Sequence, residues 1–181
     1  MPPPLPFVQK TALDHARPSS AEARTGDRAP LVLLLENIRS GGNVGSILRT
    51  ADAFALEHVA LAGYTPAPPH REILKTSLGA EESVPWSQVT DLAGEVRRYR
   101  ERGYRIAALE QTSRSTPLRG AALDRRAGLV LVLGNEVRGV SAEALALVDE
   151  VFEIAQAGAK QSLNVSVAAG VAAWHLTRQW R

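Results

Sequence analysis

Five short apolar runs, separated by helix-length segments, constrain the fold of this chain most strongly. The runs are LVLLL (31–35), HVALAG (58–63), YRIAALE (104–110), LVLVLG (129–134) and EVFEI (150–154). Continuous apolar runs of strand length are typical of strands that are buried on both faces of a parallel sheet. The segments between and after them predict helices over 43–55, about 71–78, 90–102, 141–148 and 162–179. The alternation predicts an α/β sandwich around a mainly parallel sheet.

The first 29 residues differ from the rest of the chain in composition. They contain five prolines and several charged residues, with little apolar periodicity. Such a segment buries too little apolar surface to join a core, so we expect a Pro-rich, loosely ordered N-terminal arm over 1–29. Residues 30–181 are long enough for one well-filled core and are predicted to form a single domain.

The composition excludes several kinds of chemistry. The chain has no cysteine, and therefore no disulfide, no thiolate nucleophile and no cysteine zinc site. Its histidines at 15, 58, 70 and 175 are scattered without metal-ligand spacing, so we expect no metal. No apolar run approaches the roughly 20 residues that span a bilayer, and the N-terminus lacks the pattern of a secretory leader. We therefore expect a cytoplasmic protein with no membrane partner.

The positive charge of the chain is almost entirely arginine. Of 21 basic residues only Lys10, Lys75 and Lys160 are lysine, and the net charge is +2. Arginine presents a planar fork that suits phosphate, so this balance permits a nucleic-acid partner without identifying one. A GC-rich coding sequence explains the same bias. The run RRYRERGYR (97–105) has two interpretations, an RNA-facing stretch or a solvated helix face, and the second is favoured.

A glycine-rich turn follows the first apolar run, in the segment ENIRSGGNVGSILRTADAF (36–54). Its glycines fit neither the dinucleotide fingerprint nor the P-loop, which disfavours a nicotinamide-dependent oxidoreductase and a nucleoside triphosphate site. The turn places polar side chains at a helix start, including Asn43, with Arg49 less than two turns further along. A backbone phosphate would suit this position. Taken alone, a capped helix with a surface arginine is the simpler interpretation.

Two later segments add further polar residues at the ends of apolar runs. LVLVLGNEVRGVS (129–141) leads from a buried strand directly into Gly134, Asn135 and Glu136. IAQAGAKQSLNVSVAAGVAAWHL (154–176) places Ser162 and Asn164 on a loop before a helix rich in small residues. Open α/β sheets carry their sites just beyond the carboxyl ends of their strands. Ser162 as a plain helix cap is the alternative for the second segment.

Taken together, the three segments resemble the three signature motifs of the SpoU (TrmH) family of RNA ribose 2′-O-methyltransferases, within the SPOUT superfamily. The motifs read here as Asn43-x-Gly45 with Arg49-Thr50, Leu133-Gly134-Asn135-Glu136 with Gly139, and Ser162-Leu163-Asn164-Val165-Ser166. The segment KTSLGAEESVPW (75–86) also looks like the connecting region of that family. The resemblance covers roughly residues 31–178 and leaves the arm outside.

The resemblance implies a SPOUT-type sandwich whose C-terminal part forms a deep trefoil knot. It also implies that the knot holds S-adenosylmethionine, that the substrate is tRNA or rRNA, and that a homodimer completes each site across its interface. The small residues of the last helix would suit close packing in that interface, and packing within one chain explains them equally well. They are Ser166, Ala168, Ala169, Gly170, Ala172 and Ala173.

The resemblance also assigns roles to individual residues. The cofactor-binding residues would be Leu109, Gly134, Ile154 and Leu163. The catalytic residues would be Arg49, Asn43, Glu136, Ser162 and Asn164. Ala155 and Gln156 stand where the family usually has Pro-Met. Because proline fixes φ and removes a donor, this departure predicts a less rigid cofactor loop.

The chemistry leaves the role of Arg49 open. Methyl transfer to a ribose hydroxyl is an in-line displacement that requires alignment and removal of a weakly acidic proton. Guanidinium is ordinarily not deprotonated in proteins. Either an RNA phosphate pairs with Arg49 and takes or relays the proton, or Arg49 only stabilises negative charge on the oxygen. A catalytically silent knotted RNA-binding or ribosome-associated protein is the alternative function.

Overall fold

The protein is described by a computed structural model that covers residues 18–124, 126–159 and 162–180. Its helices are α1 Ser20–Thr25, α2 Gly41–Ala53, α3 Arg71–Ser77, α4 Ala80–Ser83, α5 Leu92–Glu101, α6 Ala142–Leu145 and α7 Val165–Thr177. Its strands are β1 Ala29–Glu36, β2 Leu56–Ala62, β3 Trp86–Val89, β4 Arg105–Leu109, β5 Thr116–Pro117, β6 Leu129–Leu133 and β7 Glu150–Glu153. A short 3₁₀ turn follows β5 at Leu118–Gly120.

The strands form one seven-stranded sheet in the order β3-β2-β1-β6-β4-β7-β5. Every adjacent pair is parallel. The predicted α/β fold with a mainly parallel sheet is therefore confirmed. Each of the five apolar runs in the sequence becomes one of the strands β1, β2, β4, β6 and β7, and all five residues of β6 are buried.

Alternate side chains of the central strands fill two cores, one on each face of the sheet. Leu31, Leu33 and Leu35 of β1 pack with α2 and α7, whereas Val32 and Leu34 pack with α5 and α6. Helices on both faces explain why β1 and β6 read as continuous apolar runs rather than as alternating patterns. None of the helices within the described ranges is both long enough and apolar enough to cross a bilayer.

Two strands were not predicted from the sequence, and both lie at the edges of the sheet. β3 contains Ser87 and Gln88 and buries only Val89, so it lacks an apolar run. The two residues of β5 are exposed. Edge strands have a neighbouring strand on one side only and are less buried. Their sequences therefore contain too few apolar residues to identify them as strands.

The last helix begins later than predicted. The sequence predicts a start at 162, whereas α7 starts at Val165 and is capped by Asn164, whose side-chain oxygen accepts from the Ser166 N–H. The alternative of Ser162 as a helix cap is therefore wrong. The helix predicted over 141–148 is also shorter in the structure, where α6 ends at Leu145.

Part of the predicted N-terminal arm is a helix. α1 begins with a capping box between Ser19 and Glu22 and buries none of its residues, which agrees with a segment outside the core. Arg28 donates to the carbonyls of Ala23, Leu56 and Ser83, and so ties the segment to β2 and α4. Residues 1–17 lie outside the described part of the chain, so the division at residue 29 stays a prediction.

The small residues of α7 pack within their own chain. Ala169, Ala172 and Ala173 are fully buried against the core that also contains α2. A different face of α7 is exposed, and it carries Val167 and Val171 together with Trp174. The intrachain explanation of the small residues is therefore correct for the buried three, and the exposed apolar face is a separate surface.

Candidate active site

A chain of hydrogen bonds joins the three sequence motifs at the carboxyl edge of the sheet. The Glu136 carboxylate accepts from the backbone N–H groups of Arg39 (3.0 Å) and Ser40 (3.2 Å), and from Asn43 Nδ2 (2.9 Å). Asn43 Oδ1 in turn accepts from Asn164 Nδ2 at 3.2 Å. Hydrogen bonds between residues 93 and 121 positions apart in sequence thus form one polar centre, which consists of Asn43, Glu136 and Asn164.

Two of the contributing segments are helix starts, which fixes their side chains. The Ser40 hydroxyl caps α2 by accepting from the Asn43 N–H at 3.3 Å. Asn164 caps α7, and its Oδ1 accepts from both the N–H (2.9 Å) and the hydroxyl (2.6 Å) of Ser166. The first N–H groups of a helix have no acceptor within the helix, so a side-chain oxygen at the cap position accepts from them. The amide nitrogen of Asn164 is therefore the end that points to Asn43.

Hydrogen bonding keeps Glu136 ionised. Partial burial acts to raise the pKa of its carboxyl, but the Arg39 N–H, the Glu136 N–H, the Asn43 amide and the Ser40 N–H together hold that pKa below its usual range. Each of these donors stabilises the charged form. Glu136 is therefore an acceptor with a fixed negative charge, and its hydrogen bonds orient Asn43 and the turn before α2.

The loop after β6 depends on two glycines. A Cβ on Gly134 would lie 2.2 Å from Val140 N and 2.3 Å from Gly139 C, both of them backbone atoms. Gly139 has φ +69°, in the left-handed region that glycine tolerates best. Asn135 and Gly139 exchange backbone hydrogen bonds at 3.0 and 2.9 Å, which closes the loop. This tight return brings Glu136 to the edge of the sheet.

Asn135 is the buried anchor of that loop. Its Oδ1 accepts from the N–H groups of Val137 and Arg138, both at 2.9 Å. Its Nδ2 donates to the Asn37 carbonyl at 2.8 Å and to the Tyr64 hydroxyl at 3.0 Å. Asn135 is only 6% exposed, so these four hydrogen bonds are shielded from solvent. They tie the loop after β6 to the loops after β1 and β2.

A cavity of about 220 Å³ opens beside the polar centre. It is bounded by the segments that follow β4, β6 and β7 and by the start of α7. All four residues that the resemblance assigns to the cofactor line it, and so do Glu136 and Ser162 from the catalytic set. The structure brings these residues together, while their roles stay predictions. The lining includes Leu109, Glu110, Gln111, Leu133, Gly134, Glu136, Glu153, Ile154, Gln156, Ser162 and Leu163.

The cavity is acidic as well as apolar. Three carboxylates line it, from Glu110, Glu136 and Glu153, and among the described residues no arginine or lysine lines it. Glu110 is held by the N–H groups of Gln111 (2.8 Å) and Val140 (2.9 Å). Leucine and isoleucine side chains supply apolar walls. This lining suits a ligand that has a flat apolar part and a positive charge.

Arg49 lies away from this cavity. It is exposed on α2 and lines a second cavity, of about 1090 Å³, together with residues of α1 and α4. Within the described ranges its side chain forms no hydrogen bond or ion pair. Six residues rotate a helix position to about 120° from its starting face, so Arg49 and Asn43 point in different directions. One chain alone does not bring Arg49 to the polar centre.

Sequence reasoning missed several residues of this region. Glu110 and Gln111 follow β4 directly, so the rule for the carboxyl ends of parallel strands could have identified them. Tyr64 follows β2 in the same way. Asn37 holds a left-handed backbone conformation, with φ +57°, and nothing in its sequence context indicates this.

Four of the arginines in the run over 97–105 form ion pairs. Arg98 pairs with Glu95, Arg100 with Asp149, Arg102 with Glu57 and Arg105 with Glu150. This pattern supports the solvated helix face over an RNA-facing stretch. In the described part of the chain, no group of three or more His, Asp or Glu residues is placed to hold a metal ion.

Comparison with known proteins identifies relatives. The profile of the SpoU rRNA Methylase family matches residues 30–174. An uncharacterized tRNA/rRNA methyltransferase from Mycobacterium avium (strain 104) is 34% identical over 160 residues, which are 88% of this chain and 51% of that protein. The chain therefore spans about half the length of this curated relative.

Solved structures share the fold. The A. aeolicus TrmH/SpoU tRNA modifying enzyme superposes with a TM-score of 0.77 at 27% identity, covering 88% of this chain and 80% of that one. An AdoMet-bound rRNA methyltransferase from Sinorhizobium meliloti gives a TM-score of 0.76 at 27% identity, with coverages of 86% and 59%. Its ligand, S-adenosylmethionine, combines an adenine ring with a positively charged sulfur.

Proposed function

The chain belongs to the SpoU rRNA Methylase family, and on that premise we propose that it transfers a methyl group from S-adenosylmethionine to a ribose 2′-OH of tRNA or rRNA. The observation that carries this proposal is the position of the polar centre at the wall of the acidic cavity. Glu136 belongs to both, and Ser162, which lies two residues before Asn164, also lines the cavity. A donor that occupies the cavity would therefore lie next to groups that can orient a hydroxyl.

The lining of the cavity fits S-adenosylmethionine. Leu109, Ile154 and Leu163 would pack on the adenosine part, and Gly134 would offer main-chain groups without a side chain in the way. The carboxylates of Glu110 and Glu153 would favour the positive charge of the ligand. Bound there, S-adenosylmethionine supplies a methyl group on a positively charged sulfur. Gln156 also lines the cavity and adds a polar group to this loop.

The polar centre would position the ribose. Asn43 and Asn164 each use both ends of their amide, so neither can rotate without losing a hydrogen bond. Glu136 holds Asn43 and is already engaged by three donors, which makes it a positioning residue rather than a base. The rigid centre supplies alignment, which is the larger contribution to an in-line displacement.

We further propose that a homodimer brings Arg49 to the cavity of the neighbouring subunit. Arg49 is exposed and does not line the acidic cavity of its own chain. α7 packs beside α2 near this position, because a Cβ on Gly170 would lie 4.0 Å from Oγ1 of Thr50, the residue after Arg49. The outer face of α7 is exposed. Val167, Val171 and Trp174 make that face apolar at helical spacing, which favours burial against a second copy. From there Arg49 would pair with an RNA phosphate or stabilise the oxygen.

We also propose that the C-terminal part is knotted. β7 follows β6 in sequence but lies between β4 and β5 in the sheet. The chain therefore inserts between the two strands that flank the loop over 110–115. It then continues to α7, which packs with β1 in the core on one face of the sheet, whereas α6, before β7, packs in the core on the other face. Insertion followed by exit to another layer is the path that a trefoil knot requires. The cavity lies where these segments meet.

Calorimetric titration with S-adenosylmethionine tests the cofactor site. We expect about one bound molecule per subunit, and loss of binding in Leu163→Arg, which puts a cation into the acidic cavity. Leu74→Arg is the matched control, because Leu163 and Leu74 are similarly exposed, at 40% and 41%, and Leu74 lies on α3 outside the cavity. Equal binding by wild-type protein and Leu163→Arg would overturn the assignment.

Methyl transfer to total bacterial tRNA and rRNA tests the reaction. A ribose 2′-O-methyl group protects the adjacent phosphodiester from alkaline hydrolysis, so the product appears as an alkali-resistant labelled dinucleotide. Label that is released with a single free nucleotide would indicate base methylation and contradict the ribose proposal. Cofactor binding without any transfer to RNA would favour the catalytically silent RNA-binding protein.

A further inference from the structure

We propose that Tyr64 is a stacking platform for a base of the RNA substrate, next to the nucleotide whose ribose is methylated. This inference rests on the proposed RNA methyl transfer and adds a substrate-binding residue to it. Tyr64 lies outside the three motifs. The residue is 60% exposed although it follows directly after the buried strand β2 and Gly63.

The ring of Tyr64 is held in place at both ends. Its hydroxyl oxygen accepts from Asn135 Nδ2 at 3.0 Å, and its backbone N–H donates to Asn37 Oδ1 at 3.3 Å. Asn135 is itself buried and fully hydrogen-bonded. A planar ring that is already oriented loses little conformational entropy when a flat ligand binds it. Tyr64 is therefore exposed and rigid at the same time.

The backbone beside Tyr64 adopts left-handed conformations at two residues. Asn37 and Gly63 both hold left-handed conformations, with φ +57° and +65°. A Cβ on Gly63 would lie 2.0 Å from Asn37 Oδ1. Left-handed backbone at a non-glycine residue persists where the surrounding structure holds it, and it concentrates at functional sites. Here it directs Tyr64 toward Asn135 and away from the core.

The position of Tyr64 is at the rim of the reacting centre. Its hydroxyl contacts Asn135, which lines the acidic cavity and immediately precedes Glu136. The same asparagine anchors Val137, whose side chain is 78% exposed. A nucleotide whose ribose approaches the polar centre would therefore bring a neighbouring base within reach of the Tyr64 ring and the Val137 side chain.

The charges around the ring favour RNA over a protein partner. Arg138 is bound through its N–H to Asn135, which also donates to the Tyr64 hydroxyl. Arg39 is bound through its N–H to Glu136, and both arginines are exposed. Within the described ranges their guanidinium groups form no hydrogen bond or ion pair, unlike the paired arginines of the 97–105 run. Free arginines beside an exposed aromatic ring are the arrangement that binds single-stranded nucleic acid, in which bases stack and phosphates pair.

Steady-state methyl transfer to total bacterial tRNA and rRNA, with Tyr64→Leu and Tyr64→Phe, tests the proposal. Tyr64→Leu keeps an apolar side chain and removes the ring, so we expect kcat/KM for RNA to fall about 5- to 100-fold, mainly through KM. Tyr64→Phe keeps the ring and loses only the hydroxyl, so it should retain most of the activity. Calorimetry should give both variants the wild-type affinity for S-adenosylmethionine.

The variants separate stacking from a structural role. If Tyr64 served only to satisfy Asn135, Tyr64→Phe and Tyr64→Leu would be equally impaired, and that result would overturn the proposal. Unchanged KM for RNA in Tyr64→Leu would overturn it as well, while leaving the methyl-transfer reaction intact. Wild-type protein that binds no S-adenosylmethionine and methylates no RNA would instead overturn the proposed function itself.

Discussion

The amide side chains of the polar centre each form hydrogen bonds through both their oxygen and their nitrogen, which fixes their orientation. Asn164 caps α7 with its oxygen and donates to Asn43 with its nitrogen, and Asn43 donates onward to Glu136. An amide that is engaged at both ends cannot flip without leaving a donor facing a donor. A ribose hydroxyl that reaches this centre would meet groups that need no rearrangement, which is the condition for electrostatic preorganisation.

Glu136→Gln should lower methyl transfer roughly 10- to 100-fold, because the neutral amide has one acceptor where the carboxylate has two. The Arg39 N–H and the Ser40 N–H use different oxygens of Glu136, so one of them would face an NH₂ group. Single-turnover transfer measures the effect. Glu101→Gln is the control, since Glu101 is exposed at the end of α5, and it should behave as wild type.

The pH dependence of stability gives the same substitution a second readout. The pKa of Glu136 is lowered in the folded protein, so its stabilising effect is present above the unfolded pKa of about 4.3 and is lost as the pH falls through the folded pKa. The difference in unfolding free energy between wild type and Glu136→Gln should therefore shrink between pH 7 and 3. A difference that stays constant over this range would contradict the role of the charge.

At the scale of elements, close packing between neighbouring helices, strands and loops sets the position of each segment. Gly45 of α2 has no room for a side chain, because a Cβ there would lie 2.4 Å from the Ile73 carbonyl of α3. Gly134 does the same for the loop after β6. The glycines of the first two motifs therefore serve packing between elements, and this packing sets the polar centre beside the cavity.

Gly134→Ala should displace the loop after β6 and abolish cofactor binding, since the added methyl would meet the Val140 N and Gly139 C atoms. Backbone atoms cannot move aside as a flexible side chain can, and we expect a loss of about 1–3 kcal/mol in unfolding free energy. Urea unfolding and calorimetry measure the two effects. Gly120→Ala is the control, because a Cβ there meets no atom within 4 Å, and binding equal to this control would contradict the prediction.

The sequence predicted the elements that are buried on both faces and missed those that are not. β1 and β6 are recognisable because every position faces a core, whereas β3 and β5 have mixed or exposed side chains. The polar centre was predicted through the motifs. Tyr64 was not, because one aromatic residue after a strand forms no periodic pattern, and only its place after the end of β2 could have indicated it. The direction of Arg49 was also beyond reach, since it depends on which face of α2 packs inward.

At the scale of the whole molecule, the charges and apolar surfaces are divided between regions. Arg98, Arg100, Arg102 and Arg105 are paired, whereas among the described residues the side chains of Arg39 and Arg138 at the carboxyl edge and of Arg49 on α2 have no partner. α7 carries an exposed apolar face, and its Gly170 approaches Thr50, the residue after Arg49 on α2. A two-fold dimer that buries this face would move each Arg49 from its own surface to that of the neighbour.

Mixing two inactive variants tests whether the site is shared. If Arg49 serves the cavity of the other subunit, Arg49→Ala and Leu163→Arg should each be inactive as homodimers. After joint refolding, a heterodimer combines the intact cavity of one subunit with the intact Arg49 of the other. Random pairing makes about half of the dimers mixed, each with one working site, so methyl transfer should recover to about a quarter of wild type.

The size of the recovery distinguishes the two arrangements. If Arg49 instead served the cavity of its own chain, every subunit in the mixture would carry one defect in its own site, and activity would stay at the level of the single variants. Trp174→Glu gives an independent check, because a charge in the apolar face of α7 should shift the protein from dimer to monomer in light scattering and abolish the recovery. Recovery by a protein that is monomeric throughout would contradict the shared site.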